Sequence, residues 1–446
     1  MAAASSVSNS VAGLGNTALS ANNSVFAPFL HDESRSPFQY NGWAKVRNFA
    51  IDRLDVQPET AATFQGASEF RIPKTGDMLG PLQLMFNMEV ADSGAGGAVG
   101  NYGLVGGAAY AAVQEVRMTY LSNLIQQFTG HDIFQLHSLL TEEEARVPLD
   151  QLTGFGLGAT GLADTVAHAG APGSVQRSYV LDLPVWWGWL GQMYLPYSML
   201  AELLRIKVTW SSAQRVTSQD AASIAAGEAA NLTTTLSAVK MRVAYIHLTA
   251  AERAELEARV NGSQNGITYK SLEWEVQEQT LTNDLQSTDI ALRTFRHPTK
   301  FLSMVVRPAS GPAGTGGVLG SGPNINDTEP YLYHDIDRYT VIANGSPIHP
   351  ETDHNYAIHY LKPLYFSAKS RTQSIYTACW DANPEDFINS NGHRDFGNLH
   401  NPQMRIASDA GLLTNVRAGQ SLVVTIWAWH HQAFSVQGGE ITRVFN

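Results

Sequence analysis

The sequence predicts an all-β protein of two tandem domains, β-sandwiches or jelly rolls, with few short helices. Three observations carry this. Short runs of strand character recur along the chain, and several alternate apolar with polar residues. In Ile206-Lys207-Val208-Thr209-Trp210 one face would be buried and the other wet. The 38 glycines and 19 prolines supply the turns that many short strands need. The two halves echo each other, and 446 residues are long for one core but comfortable for two of about 200 residues each.

The elements follow in order. Met1 to Asn23 is rich in Ala, Ser and Asn and lacks the basic start and continuous apolar core of a signal peptide, so residues 1–40 read as an arm. A first domain is expected over 41–215, with strands at Phe70 to Ile72, Leu82 to Met88, Val113 to Leu121 and Leu203 to Trp210. A linker is expected over 216–238, where Ala, Ser and Thr prevail. The second domain, 239–446, is expected to hold strands at Val239 to His247, Phe301 to Arg307, Ile375 to Trp380 and Leu422 to Trp429. In each half a strand meets a proline, turns and re-enters: Glu69 to Ile72 before Pro73, and Ala291 to Phe295 before His297-Pro298. Gly-rich loops span Ala91 to Gly107, Gly154 to Gly173 and Ala309 to Pro323, and loops this long usually work at a surface. Two helices are expected where a Thr is followed three residues later by a Glu, at Thr141 with Glu144 and at Thr249 with Glu252; the second would run from about Ala250 to Val260.

Composition narrows the function. Hydrophobic residues at 44% against charged residues at 15% describe a globular chain. The formal charge is −11 with no basic run, so no direct nucleic-acid binding is expected. A single cysteine, Cys379, leaves no intrachain disulfide. Leu183 to Ala201 runs nineteen residues without a charge, but Pro184, Gly188, Gly191 and Pro196 interrupt it, and two short buried strands joined by a turn explain it better than a membrane helix.

Motifs with chemical promise mostly dissolve. Gly156-Leu157-Gly158-Ala159-Thr160-Gly161 fits G-x-G-x-x-G, yet no strand precedes it and no helix opens on it, as a dinucleotide site requires. His393-Arg394-Asp395-Phe396-Gly397 overlaps two kinase tripeptides on one aspartate, which cannot serve both as base and as magnesium ligand. His430 and His431 are neighbours on a presumed strand and so face opposite ways; a lone imidazole hydrogen-bonded at an interface is expected. His131 and His137 have no metal spacing. His297 and Lys300 are expected to hydrogen-bond a loop at a proline turn. Asn-x-Ser/Thr sequons stand at Asn22, Asn231, Asn326 and Asn344. No catalytic, cofactor-binding or metal residue is assigned, and no cofactor is expected.

Arg71-Ile72-Pro73-Lys74-Thr75-Gly76-Asp77-Met78-Leu79 resembles the Gly-Asp-Leu turn of the major capsid proteins of nucleocytoplasmic large DNA viruses. Tyr179 to Pro184, then Trp186-Trp187 and Leu195-Pro196, resembles that family's leucine-proline, aromatic pair, leucine-proline stretch. Tyr245 to Thr249 with Glu252-Arg253 is similar to its glutamate-arginine helix, and Arg296 to Lys300 to its His-Pro-x-Lys turn. Ile375-Tyr376 leading to Asn383-Pro384-Glu385-Asp386, and Gly438-Gly439 to Asn446, resemble its later segments. The matches are in order over roughly residues 45 to 446. Ser390-Asn391-Gly392, Asp395-Phe396-Gly397 and Tyr120 to Asn123 depart from the pattern.

The resemblance implies two tandem eight-stranded jelly rolls, a double jelly roll, and no enzyme. It further implies a homotrimer with a pseudo-hexagonal outline that packs against neighbouring capsomers, and with minor capsid and penton proteins, in an icosahedral shell assembled in the host cytoplasm. The arm would lie at the shell base, against minor capsid proteins or an internal membrane, and the Gly-rich loops would form an outer crown. Two other readings are a minor capsid or spike protein, which more often carries one roll, and a carbohydrate-active β-sandwich, which would need a groove with paired carboxylates or exposed aromatics.

Overall fold

The computed structural model describes residues 49–94, 101–141, 143–155, 164–167, 171–187, 194–219, 231–262, 266–281, 285–308, 333–366, 374–386, 391–409, 411–412 and 421–444. The expected arm, the G-x-G-x-x-G run, the loop from Ala309 to Pro323 and the sequons at Asn22 and Asn326 lie outside these residues.

Each half holds eight principal strands in two antiparallel sheets of four, and in the second half Arg394–Asp395 and Glu440–Arg443 extend one sheet to six. In the first half one sheet runs Phe49–Val56, Leu232–Leu248, Met78–Asp92, Gly173–Asp182, and the other runs Ala67–Arg71, Arg205–Trp210, Val113–Tyr120, Asn123–Phe128. In the second half the sheets run Ile267–Leu281, Leu422–Gln437, Pro298–Pro308, Tyr376–Cys379, and Ser287–Ala291, Gln403–Ala407, Arg338–Ala343, Ser346–Asp353. Counting each half's strands along the chain, both halves give the orders 1-8-3-6 and 2-7-4-5. The same jelly roll is built twice.

Alternation explains the strands. Along Met78–Asp92, Leu82, Leu84, Phe86, Met88 and Val90 are buried while Gln83, Met85, Asn87 and Glu89 are half-buried, so one face fills the core. Leu422–Gln437 departs from this rule because nearly its whole length is buried. Leu422, Val424, Ile426 and Ala428 pack in the second roll's own core; Trp427, Trp429, Phe434 and Val436 join the core that begins in the first roll. Both faces of this strand are therefore apolar, which marks a strand covered on two sides.

All eight expected strands are present, several of them longer than read from sequence, as is the helix Ala250–Gly262. Four expectations need correction. The 216–238 linker is not structureless: Thr217–Gln219 pairs with Asn101–Leu104, which pairs with Asp164–Ala167, so parts of two Gly-rich loops and of the linker close into a small three-stranded sheet. Three- and four-residue strands carry too few apolar positions to register as a pattern. Second, residues 239–248 belong to a first-roll strand, Leu232–Leu248, paired with Phe49–Val56 and Met78–Asp92. Its threonines at 233–235 read as linker composition but are good strand formers on a half-wet surface. Third, the uncharged run from Leu183 forms no strand among its described residues: a turn holds Trp186 and Trp187, Leu195 makes a single bridge to Leu79, and Tyr197–Met199 is one turn of 3-10 helix. Fourth, the helix expected after Thr141 is present as Glu143–Thr153, but Thr141 also ends an earlier helix, Gly130–Leu140, that the sequence reading missed. No described helix is long and apolar enough to cross a membrane.

Candidate assembly site at the seam between the two rolls

The helix Gly130–Leu140 begins directly after the fifth strand of the first roll. Thr129 caps it: its hydroxyl accepts from the Asp132 N–H at 3.3 Å, and the Asp132 carboxylate accepts from the Thr129 N–H at 2.7 Å. Gly130 lets the start of the helix come close, since a Cβ there would sit 2.0 Å from the Tyr110 carbonyl oxygen. One side of the helix packs on its own roll, where His137 Nδ1 lies 2.7 Å from the Tyr110 hydroxyl and Phe134 meets Tyr110 edge to face at 5.4 Å. The other side meets the second roll. Trp427 Nε1–H donates to Asp132 Oδ1 at 2.6 Å, and Gln135 Nε2 donates to the Tyr333 hydroxyl at 3.2 Å. Burial pushes the Asp132 carboxyl up, against the hydrogen bonds from Trp427 and Thr129 that favour its ionised form.

A second contact lies further along the seam. Trp186 is fully buried, stacks on Phe434 at 4.5 Å and meets Tyr269 and Trp187 edge to face at 5.1 and 4.9 Å. The turn carrying it is pinned by Gln126, which donates to the Pro184 carbonyl and accepts from the Trp186 N–H, and by Trp187 Nε1–H donating to the Gly80 carbonyl at 3.0 Å. Tyr269 donates across the seam to the Tyr194 carbonyl at 2.9 Å. Beside it, Gly438 and Gly439 form the two-residue loop joining Leu422–Gln437 to Glu440–Arg443, both at positive φ. The Gly439 carbonyl accepts from the Tyr120 hydroxyl and from the Ala201 N–H, which ties this hairpin to the first roll.

The segments that carry the family resemblance meet in space. Asp77 of the Gly-Asp turn accepts from Arg253 of the glutamate-arginine helix, with Nε at 2.7 Å, and from the Leu248 N–H at 2.7 Å. Burial alone would raise the Asp77 carboxyl, but these donors hold it below its ordinary range. Lys300 of the His-Pro-x-Lys segment lies at a strand start, wholly buried. Its ammonium faces Asp381 at 3.3 Å and donates to the Asp386 carbonyl at 2.5 Å, so it pins the Asn383-Pro384-Glu385-Asp386 loop, the loop-bonding role expected of it. Trp186 stacks on Phe434, on the strand that leads into the closing Gly438-Gly439 turn. Four of the segments thus form two contacts.

The histidines find structural places. His430 is buried and stacks on His297 at 4.4 Å, with Glu273 Oε2 4.0 Å from its Nε2. Burial, then His297, drops its pKa to about 3, and burial drops that of His137 to about 3. His131 shares the buried helix with His137. Asp395 of the kinase-like run caps a 3-10 turn by accepting from the Gly397 N–H at 3.0 Å. Asn344 sits in a two-residue Asn-Gly hairpin, where its side chain accepts from the His400 N–H. Among the described residues no group of three or more His, Cys, Asp or Glu is placed to hold a metal. A cavity of about 400 Å³ at the end of the second roll is walled by Phe295, Phe396, Leu399 and Arg293 among others, and no Asp or Glu lines it.

Residues 38–249 match the family model described as the major capsid protein N-terminus. The chain shares its fold with PBCV-1 VP54 at TM-score 0.66 and 15% identity, over 92% of this chain and 100% of that one. The matched segment, a little under half of the chain, is thus similar to the major capsid proteins, and the chain has their double jelly-roll fold. The Faustovirus major capsid protein matches at TM-score 0.66 and 10% identity, over 91% of this chain and 93% of that one. The mavirus major capsid protein matches at TM-score 0.54 and 9% identity, over 93% and 94%. Comparison with curated protein sequences gives no match. The double jelly roll of the capsid fold is the expected architecture, and the seam joins its two rolls through buried contacts.

The residues missed in sequence, Asp132, Gln135, Tyr269, Tyr333 and Phe434, lie far apart in the chain. One signal was present: Thr129 with Asp132 ahead of an apolar run is a capping pattern.

Proposed function

We propose that three copies of this chain close into a capsomer of pseudo-hexagonal outline, and that such capsomers tile the icosahedral shell of a large DNA virus. The observation that carries this is the duplicated strand order with a buried seam between the copies. Two like rolls held side by side fill two sixths of a hexagon, and threefold rotation supplies the rest. Function then lies in shape, so the protein performs no catalysis. The roll boundary falls at the helix Ala250–Gly262, after the first roll's last strand. The arm over residues 1–40 faces the shell base, toward minor capsid and penton proteins or an internal membrane, and assembly takes place in the host cytoplasm.

Light scattering on the purified chain tests the reading. The expected mass is three times 48.5 kDa, with hexagonal outlines in negative stain. A stable monomer that cleaves or binds a glycan would overturn it.

A further inference from the structure

Because each roll repeats the other, the seam inside one chain is a template for the contact between chains. In the seam, the helix after the first roll's fifth strand lies on the outward face of the second roll's 1-8-3-6 sheet. The second roll has the corresponding helical segment, His354–Tyr356 continuing through Ala357–Leu361 and Lys362–Tyr365, directly after its own fifth strand, Ser346–Asp353. Counting from the residues before the two helices, Thr129 and Asp353, positions three, seven and eleven are Asp132, Leu136 and Leu140 in the first and Tyr356, Tyr360 and Leu364 in the second. In the first set Asp132 bonds Trp427 across the seam, Leu136 is buried and Leu140 is partly buried. The second set is 50%, 55% and 59% exposed, with Tyr356 stacked on Tyr360 at 5.0 Å. An exposed apolar stripe of this kind marks a binding surface.

The complementary surface is also present. The first roll's 1-8-3-6 sheet has an outward face with exposed apolar residues. It carries Phe49 and Ile51, 56% and 57% exposed, and a groove of about 190 Å³ lined by Ile51, Pro81, Tyr194, Ala244 and Ile246 together with Arg53, Gln83 and Arg242. In the second roll the same face bears Trp427 and Trp429 and is the one the seam helix covers. Each chain therefore has one helical segment that packs on its own roll but leaves an apolar stripe exposed, and one sheet face with exposed apolar residues.

We infer that the Tyr356, Tyr360 and Leu364 stripe of one copy docks on the Ile51–Ile246 groove of the next, repeating the internal seam between copies. The contact is heterologous, and repeated around a threefold axis it closes. The inference rests on the trimeric reading above and names its surfaces.

Two full-length variants test it. Tyr360→Asp is expected to lower the light-scattering mass about threefold with an unchanged far-UV circular dichroism spectrum. A chain carrying Ile51→Cys and Tyr360→Cys is expected, on mild oxidation, to run as a covalent trimer on a non-reducing gel, while either cysteine alone gives none. A wild-type trimer that survives Tyr360→Asp, with no covalent species from the cysteine pair, overturns this inference and leaves the trimeric capsomer standing. A monomeric wild type overturns both. Should Tyr360→Asp fail to fold, the cysteine pair decides alone.

Discussion

Replacing Trp186 by alanine tests whether the seam is a working part of the fold. The indole is fully buried, with faces and edges against Phe434, Tyr269 and Trp187, so truncation opens a large cavity between the rolls. Removing a buried Trp or Phe side chain costs about 3–5 kcal/mol, a large share of the roughly 5–15 kcal/mol by which domains are stable. Because the lost contacts join the rolls, urea unfolding followed by circular dichroism is expected to show a lower midpoint and a transition that separates into two steps. Phe434→Ala is expected to couple with it: the double variant should lose less than the sum of the singles by about 0.5–1.5 kcal/mol, the worth of a stacked aromatic pair. A Trp186→Ala chain that unfolds within about 1 kcal/mol of wild type, in one step, would refute the claim that this seam couples the rolls.

Lys300→Met should cost about 3–5 kcal/mol in chemical denaturation by leaving Asp381 buried without its cation, while Lys300→Met with Asp381→Leu should recover most of the loss. Gly439→Ala places a side chain at φ +85, 3.3 Å from Ala201 N, and is expected to cost about 1–3 kcal/mol in the same assay. His137 and His430, with folded pKa values near 3, stay neutral in the fold while the unfolded chain binds protons below about 6.5. The unfolded state then holds more protons, so melting temperature should fall as pH drops from about 6.5 toward 3, and His137→Gln should flatten that slope. Asp55, held at about 2 by hydrogen bonds from Arg242 and Lys240, has a depressed folded pKa, so its stabilisation is present above about 4 and lost as pH falls toward 2; Asp55→Asn should remove that lowest part of the acid profile.

Most strands were legible because they bury one face, and alternation writes that into the chain: Ile206, Val208 and Trp210 are all buried, with Lys207 exposed and Thr209 half-buried between them. The helix Ala250–Gly262 announced itself through Thr249 and Glu252. Gly130–Leu140 did not, because it is buried on nearly every side and so shows no polar face to set a period. The seam was illegible for another reason. Asp132 and Trp427 are 295 residues apart, and nothing local to either says they will meet. The resemblance segments were found singly; that Asp77 would grip Arg253, or Lys300 the Asp381 loop, belongs to the third dimension.

The strand Leu422–Gln437 carries a timing consequence. It sits between Ile267–Leu281 and Pro298–Pro308, and it gives residues to both cores, yet the ribosome makes it after all the other principal strands. Until it emerges, the second sheet lacks its centre and the first roll's helix has no wall to rest on. A chain halted early therefore presents the unpaired edges of Ile267–Leu281 and Pro298–Pro308, which are open to pairing with other strands until this one arrives.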